Sequence, residues 1–208
     1  MDIKETSPVI KMIDAKNGFG QIATEIGMNE CIKMAKLYGL ALVTVCNSNN
    51  FGVAAYFAEL ASKQDMIGIV LSNSAPAIAP TGGSKPVFET NPLAISVPYK
   101  VSSPITLDMA SSVVSRGKIR LAARNNENIP LNWAIDKDGN PTIDQNEALL
   151  GSLLAIGDYK GFGLSMFIDI LSGLISGSAF GGNVKPLNTL DDYSKNGHIG
   201  FESISWTR

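Results

Sequence analysis

Two successive segments of this chain switch from a helical to a strand-like hydrophobic period, and that switch restricts the fold more than any other feature. Met28, Cys31, Ile32, Ala35 and Tyr38 recur at the spacing of one helical face. Gly39 stops them, and Leu40-Ala41-Leu42-Val43-Thr44-Val45 follows as an apolar, partly β-branched run. The pattern then repeats. Val53, Tyr56, Phe57, Leu60 and Ala61 share a helical face, and Met66-Ile67-Gly68-Ile69-Val70-Leu71 reads as a second strand. Helices with one apolar face alternating with buried strands imply an α/β layer architecture. With 208 residues, 45% hydrophobic and 17% charged, the chain can bury a substantial core.

Further along, Ser72 to Pro98 is rich in glycine, proline and small polar residues, and predicts a loop closing with a strand at Ala94-Ile95-Ser96-Val97-Pro98. Loops of this composition commonly build sites. A helix is expected from Ala110 to Arg124, a turn at Asp138-Gly139, and a last long helix from about Gly161 to Leu174 with Leu164, Phe167, Ile168, Leu171 and Leu174 on one face. The net charge of −2, from 17 basic and 19 acidic residues, supplies no general attraction to nucleic acid or an anionic membrane. A small-molecule or protein partner is expected instead. Cys31 and Cys46 are too few for a disulfide framework and read as buried thiols in a reducing compartment. No stretch approaches the roughly 20 apolar residues of a membrane span, so the cytoplasm is the expected location.

Several motifs invite a chemical reading, each with a plainer alternative. Gly18-Phe19-Gly20-Gln21-Ile22-Ala23 fits a dinucleotide fingerprint, but the following strand ends Val45-Cys46-Asn47 without the acid that would hold a ribose. It reads as an ordinary glycine turn. Arg116, Arg120 and Arg124 fall at i, i+4 and i+8, which makes either a phosphate-binding stripe or, more simply, a solvated face. His198 is the one histidine and has no neighbouring ligand cluster or serine motif, so neither a metal site nor a triad can be built on it. Alone, Asp108 is most simply the cap of the helix after it and Lys160 a surface lysine.

Taken in order, the motifs say more. Ser48-Asn49-Asn50-Phe51-Gly52, Ser72-Asn73-Ser74, Thr90-Asn91-Pro92, Leu107-Asp108-Met109-Ala110, Ile129-Pro130 to Trp133-Ala134, and Tyr159-Lys160-Gly161-Phe162-Gly163-Leu164 together resemble the malate/L-lactate dehydrogenase family. That family also includes ureidoglycolate and sulfolactate dehydrogenases and cyclic imino-acid reductases. The resemblance runs from about Ile13 to Gly200. It implies an α/β fold on a non-Rossmann mixed sheet with flanking helices, in a homodimer. It implies a single oxidoreductase domain over residues 1–208, corresponding to the central part of the family without its amino- and carboxyl-terminal segments.

By matching position, the resemblance implies NAD or NADP contacts at Asn50, Phe51, Gly52, Val53, Ala54, Ser74, Asp108, Met109, Ala110 and Lys160. Thr90 matches a substrate contact, and the substrate is expected to be a small 2-hydroxy or 2-oxo acid. The chemistry suits such roles: Asp108 can accept ribose hydroxyls, Lys160 supplies a point charge, and amides and hydroxyls hold phosphate. One departure stands out. The family's histidine, which exchanges a proton as hydride moves, is Asn50 here, and an amide cannot titrate near neutrality. Such proton transfer is worth about 10²–10⁴-fold in rate. Two readings follow: a hydroxy-acid oxidoreductase, or a catalytically impaired pseudoenzyme or binding subunit that pairs with a complete paralogue.

Overall fold

A computed structural model of the chain describes residues 1–186 and 194–203, with side chains described through Phe201. Its strands are β1 (Asp2–Ser7), β2 (Ile10–Asp14), β3 (Leu40–Ser48), β4 (Ile67–Ser72), β5 (Leu93–Val97), β6 (Ile105–Met109), β7 (Ala134–Ile135), β8 (Ser152–Leu153) and β9 (Asn196–Ser203). Seven of these form one sheet in the order β1-β2-β3-β9-β4-β5-β6, while β7 and β8 pair separately. Only β2 and β3 run parallel; the other neighbours are antiparallel. The mixed sheet that the family resemblance implies is therefore present, and it is mostly antiparallel.

The helices are α1 (Gly20–Tyr38), α2 (Ala54–Ser62), α3 (Arg116–Asn125), α4 (Gln145–Leu150) and α5 (Tyr159–Asp169), the last continuing as a π-helical turn over Ile170–Leu174. α1 ends where the sequence predicts: Gly39 takes φ 87°, a left-handed conformation that glycine adopts without a Cβ penalty, and its N–H donates to the Ala35 carbonyl. The inner faces of α1 and α2 enclose the main core, where Cys31, Phe57, Ala58 and Ala61 meet Val43, Val45 and Val70; Tyr38, Val53 and Tyr56, expected on those faces, are exposed instead. Burying each Val or Phe stabilises the fold by about 1.5–3 kcal/mol. On the other side, Ile168 of α5 packs with Leu71 and Ile199. A second core, around Ile78, Ile119, Ile129 and Leu153, lies beneath α3 and α4.

Some expectations are corrected. The helix predicted from Ala110 begins only at Arg116, because the preceding backbone is committed elsewhere: Ser111 N–H donates to Thr90 O at 2.7 Å and Val113 N–H to Leu154 O at 2.9 Å. Ser115 then caps α3 by accepting from Lys118 N–H. The strand expected to close at Val45 runs on to Ser48. Cys31 is buried, but Cys46 is only half-buried. At Asp138-Gly139 the expected turn forms, with Gly139 at φ 94° and Ile135 bridging Pro141. Among the described residues no helix is long and apolar enough to cross a membrane.

β9 crosses the π-helical turn so closely that a Cβ on Gly197 would be driven into the Ser172 carbonyl, whereas a Cβ on Gly163 of α5 would meet open space. Gly197→Ala is expected to destabilise the fold by at least ~1–3 kcal/mol. Gly163→Ala is expected to be neutral or to gain up to about 1 kcal/mol from helix propensity. Urea unfolding of both variants checks the pair, and equal stabilities would contradict the assigned packing of β9.

Candidate functional site

The turn joining β3 to α2 is clamped from several directions. Asn49 Nδ2 donates to the carbonyls of Asn17 and Gly18 at 2.8 and 3.0 Å. Gly20 fits only because it lacks a side chain, since a Cβ there would strike the carbonyls of Asn49 and Asn50. The suspected dinucleotide fingerprint is thus a close-packing glycine turn, and carbonyl oxygens occupy the position a phosphate would need. Asn50 Oδ1 accepts from Gly52 N–H at 2.8 Å, an Asx turn that carries the chain through Gly52 at φ 87°. Phe51 is buried beneath, its ring centroid 5.3 Å from Phe57 and 4.7 Å from His198.

His198, on β9, fixes this turn from below. It is 1% exposed, with Nε2 3.2 Å from the Asn49 carbonyl and Nδ1 2.7 Å from Ser72 Oγ. A carbonyl can only accept, so Nε2 carries the hydrogen and Nδ1 accepts from the serine hydroxyl. Burial pushes the imidazole pKa down to about 4, against a weaker opposing effect of the Asn49 carbonyl, which keeps the ring neutral.

The first turn of α2 has no side-chain cap of its own at Val53. Asp108 reaches across from β6, and its Oδ2 accepts from Ala55 N–H at 3.0 Å. Asp108 is therefore a helix cap, but of α2 rather than of the helix that follows it. The carboxylate also complements the positive end of the α2 dipole.

Above the turn lies a cleft of about 450 Å³, lined by Asn50, Ser74, Glu89, Arg116, Arg120, Lys185 and Asn196 among others. Buried Asn91 organises one wall: its Oδ1 accepts from Ser74 N–H at 3.2 Å and its Nδ2 donates to Ser165 O at 2.9 Å. Ser165 Oγ in turn donates to the Glu89 carbonyl at 2.7 Å. Burial raises the Glu89 carboxyl to about 7, although Arg116 and Arg120 pull the other way. Burial and the neighbouring Arg120 lower the Arg116 pKa, while Glu89 opposes them; Arg116 Nη2 also donates to Leu149 O at 3.1 Å.

The model of the malate/L-lactate dehydrogenase family matches residues 1–202. The chain belongs to that family. Malate/(S)-sulfolactate dehydrogenase of Methanothermus fervidus is 43% identical over 185 residues, 89% of this chain and 54% of that protein. Ureidoglycolate dehydrogenase (NAD(+)) of Escherichia coli K12 is 36% identical over 198 residues, 95% of this chain and 56% of that protein. Among solved structures, sulfolactate dehydrogenase from Methanocaldococcus jannaschii superposes with a TM-score of 0.89 at 40% identity, covering 97% of this chain and 58% of that one. The chain thus spans about half the length of the family members it matches. The match from residue 1 extends the resemblance ahead of Ile13 to include β1.

Of the residues that the family resemblance singles out, Asn50 and Ser74 face one cleft. Phe51 and Ala54 are buried under the turn, while Gly52 and Val53 are exposed on it. Asp108, Met109 and Ala110 lead to Ser111, which ties two further segments together: its N–H and Oγ donate to Thr90 O, and its carbonyl accepts from Ile156 N–H at 2.9 Å. Ile156 precedes Lys160, which is exposed in the first turn of α5 and is not among the residues lining the cleft. The arginine stripe divides: Arg116 and Arg120 line the cleft, and Arg124 does not. Glu89, Lys185, Asn196 and His198 were not legible as site residues. For Glu89 a signal existed, because it is the one acid between Asp65 and Asp108 and directly precedes Thr90-Asn91-Pro92.

Glu89 and His198 should affect stability with opposite sign. The Glu89 carboxyl is raised from 4.5 to about 7, so its contribution is full below pH 4.5 and is lost as pH rises through 7. The His198 imidazole is lowered from 6.5 to about 4, so its contribution is full above pH 6.5 and is lost as pH falls through 4. His198 accounts for on the order of 3 kcal/mol, and Glu89 for somewhat less because it keeps some solvent contact. Wild-type stability should therefore change little across this window. Glu89→Gln should leave only the His198 limb, with stability rising by about 3 kcal/mol between its two pKa values. A pH series of urea unfolding checks this, and a variant as flat as the wild type would contradict it.

Proposed function

We propose that this chain is a nicotinamide-dependent oxidoreductase that interconverts a small 2-oxo acid and its 2-hydroxy acid. What carries the reading is the clamped Asn49–Val53 turn facing a cleft whose other walls bear Ser74 and the Arg116–Arg120 pair. Homologues are named as NAD(+)- and NADP(+)-dependent dehydrogenases of ureidoglycolate and (2R)-3-sulfolactate, which supports a nicotinamide cofactor of either kind. On this reading the protein works in the cytoplasm as a homodimer, as the family resemblance implies.

The residues present fit such a cofactor. Gly52 opens to free space where a Cβ would stand, the Asp108 carboxylate lies beside the α2 amino terminus, and hydroxyl, amide and cationic groups converge on one cleft. Asn50 to Ala54, Ser74, the Asp108–Ala110 segment and Lys160 would hold it, as the family resemblance implies. When bound, it supplies or accepts the hydride at the carbon bearing the oxygen. The chain's own groups do the rest. Arg116 and Arg120 hold the acid's carboxylate and Asn50 Nδ2 donates to its 2-oxygen, while Thr90, next to the cleft-lining Glu89, is the substrate contact the family resemblance implies. Asn50 orients without exchanging a proton, which is the observation favouring a second reading as a subunit that binds cofactor without turning over.

Incubation with reduced NAD or NADP and a small 2-oxo acid is expected to consume the cofactor only when the acid is present. Arg120→Ala should raise KM for the acid by about ten- to a hundredfold, the loss of a charge-assisted contact, with cofactor affinity unchanged. Acid-independent cofactor consumption would contradict the proposal, and binding without turnover would favour the second reading.

A further inference from the structure

The turn at Asn50 orients but has no proton to give, and the cleft it faces contains a group that does. Among the described residues lining this cleft, Glu89 is the one carboxyl group. It stands on the same cavity as Asn50 and Ser74, and its backbone is fixed on both sides. Ser165 Oγ holds the Glu89 carbonyl at 2.7 Å, Phe88 packs against Phe162 with ring centroids 5.3 Å apart, and Asn91 is fully buried in bonds to Ser74 and Ser165. A side chain on so fixed a segment keeps a constant relation to the Asn50 turn across the cleft.

We infer that Glu89 is the proton donor and acceptor of this site, taking the role that an amide at Asn50 cannot fill. This rests on the oxidoreductase reading above. In reduction, Glu89 gives its carboxyl proton to the 2-oxygen as that oxygen gains the electron pair of the breaking carbonyl π bond. The O–H bond of Glu89 breaks, a substrate O–H bond forms, and the new carboxylate faces Arg116 and Arg120. The two electrons come with the hydride of the reduced nicotinamide, and water returns the proton to Glu89. In oxidation the same carboxylate receives it.

Partial burial and the two arginines together poise this carboxyl near neutrality, where a general acid or base is most effective. The charged groups around it are Arg116 and Arg120 on α3 and Lys185 across the cleft, while His198 beneath the turn is neutral. An anionic acid that binds Arg116 and Arg120 cancels the charges that favour the Glu89 carboxylate. Binding should therefore draw a proton onto Glu89.

That coupling supplies a readout besides activity. Oxamate, a carboxylate isostere of a 2-oxo acid, is titrated by calorimetry near neutral pH in buffers of different ionisation enthalpy, with cofactor bound. Wild-type protein is expected to take up a fraction of a proton per oxamate, and Glu89→Gln none, with oxamate still binding. In turnover, Glu89→Gln should lower kcat by about 10²-fold or more and remove the pH limb near 7, with KM for the acid little changed. Cofactor binding by Glu89→Gln establishes that the variant is folded, and Glu89→Asp should retain part of the rate.

Proton uptake that persists in Glu89→Gln, or an unchanged pH–rate profile in that variant, would overturn the inference while leaving the oxidoreductase reading intact. Glu89-dependent uptake without wild-type turnover would support the proton-holding role and overturn the oxidoreductase reading. Neither uptake nor turnover would overturn both.

Discussion

The site depends on one topological fact: β9, from near the carboxyl end, runs antiparallel between β3 and β4 at the centre of the sheet. Without it those two strands would have no common neighbour, and the sheet would divide into a three-stranded half and another of equal size. His198 sits opposite both Val45 and Ser72 in this register, and its ring serves both flanks by accepting from Ser72 and donating to Asn49. The same side chain therefore ties the sheet together and sets the height of the turn at Asn50. Gly197, one residue earlier, lets the Ser172 carbonyl approach the strand so that α5 and its π-helical end can pack behind it.

Much of the framework could be read from local pattern. The stop at Gly39, the existence of α1 and α2 and the strand after each depend on neighbours within a few residues, and each lies within a few residues of where its period predicts, although Tyr38, Val53 and Tyr56 turn outward. The long-range features could not be read that way. Nothing near Asp108 indicates that its carboxylate caps a helix 53 residues earlier in the chain. The delayed start of α3 likewise follows from hydrogen bonds made by Ser111 and Val113 to Thr90 and Leu154. His198 is uninformative as an isolated histidine, because its role comes entirely from the strand on either side.

Candidate site residues divide along the same line. Order of motifs was enough to single out Asn50, Ser74 and Asp108, which the fold brings to one turn and one cleft. Whether Arg116 and Arg120 face solvent or the cleft is decided by how α3 seats on its own small core, through Ile119 and Ala122, and periodicity alone does not contain that information. Glu89 is a further case of the same kind. A lone acid in a glycine- and proline-rich loop reads as solvated, and only partial burial opposite two guanidinium groups gives it a pKa near neutrality.

Binding of a nicotinamide cofactor at the clamped turn and its cleft is the central claim, and it is open to direct measurement. Quenching or enhancement of NADH and NADPH fluorescence on titration with the protein should be saturable at one cofactor per chain for at least one of the two. Affinity should fall severalfold or more in Asp108→Ala, which uncaps α2 beside the turn. Fluorescence of both cofactors unchanged by excess folded protein would contradict the central claim.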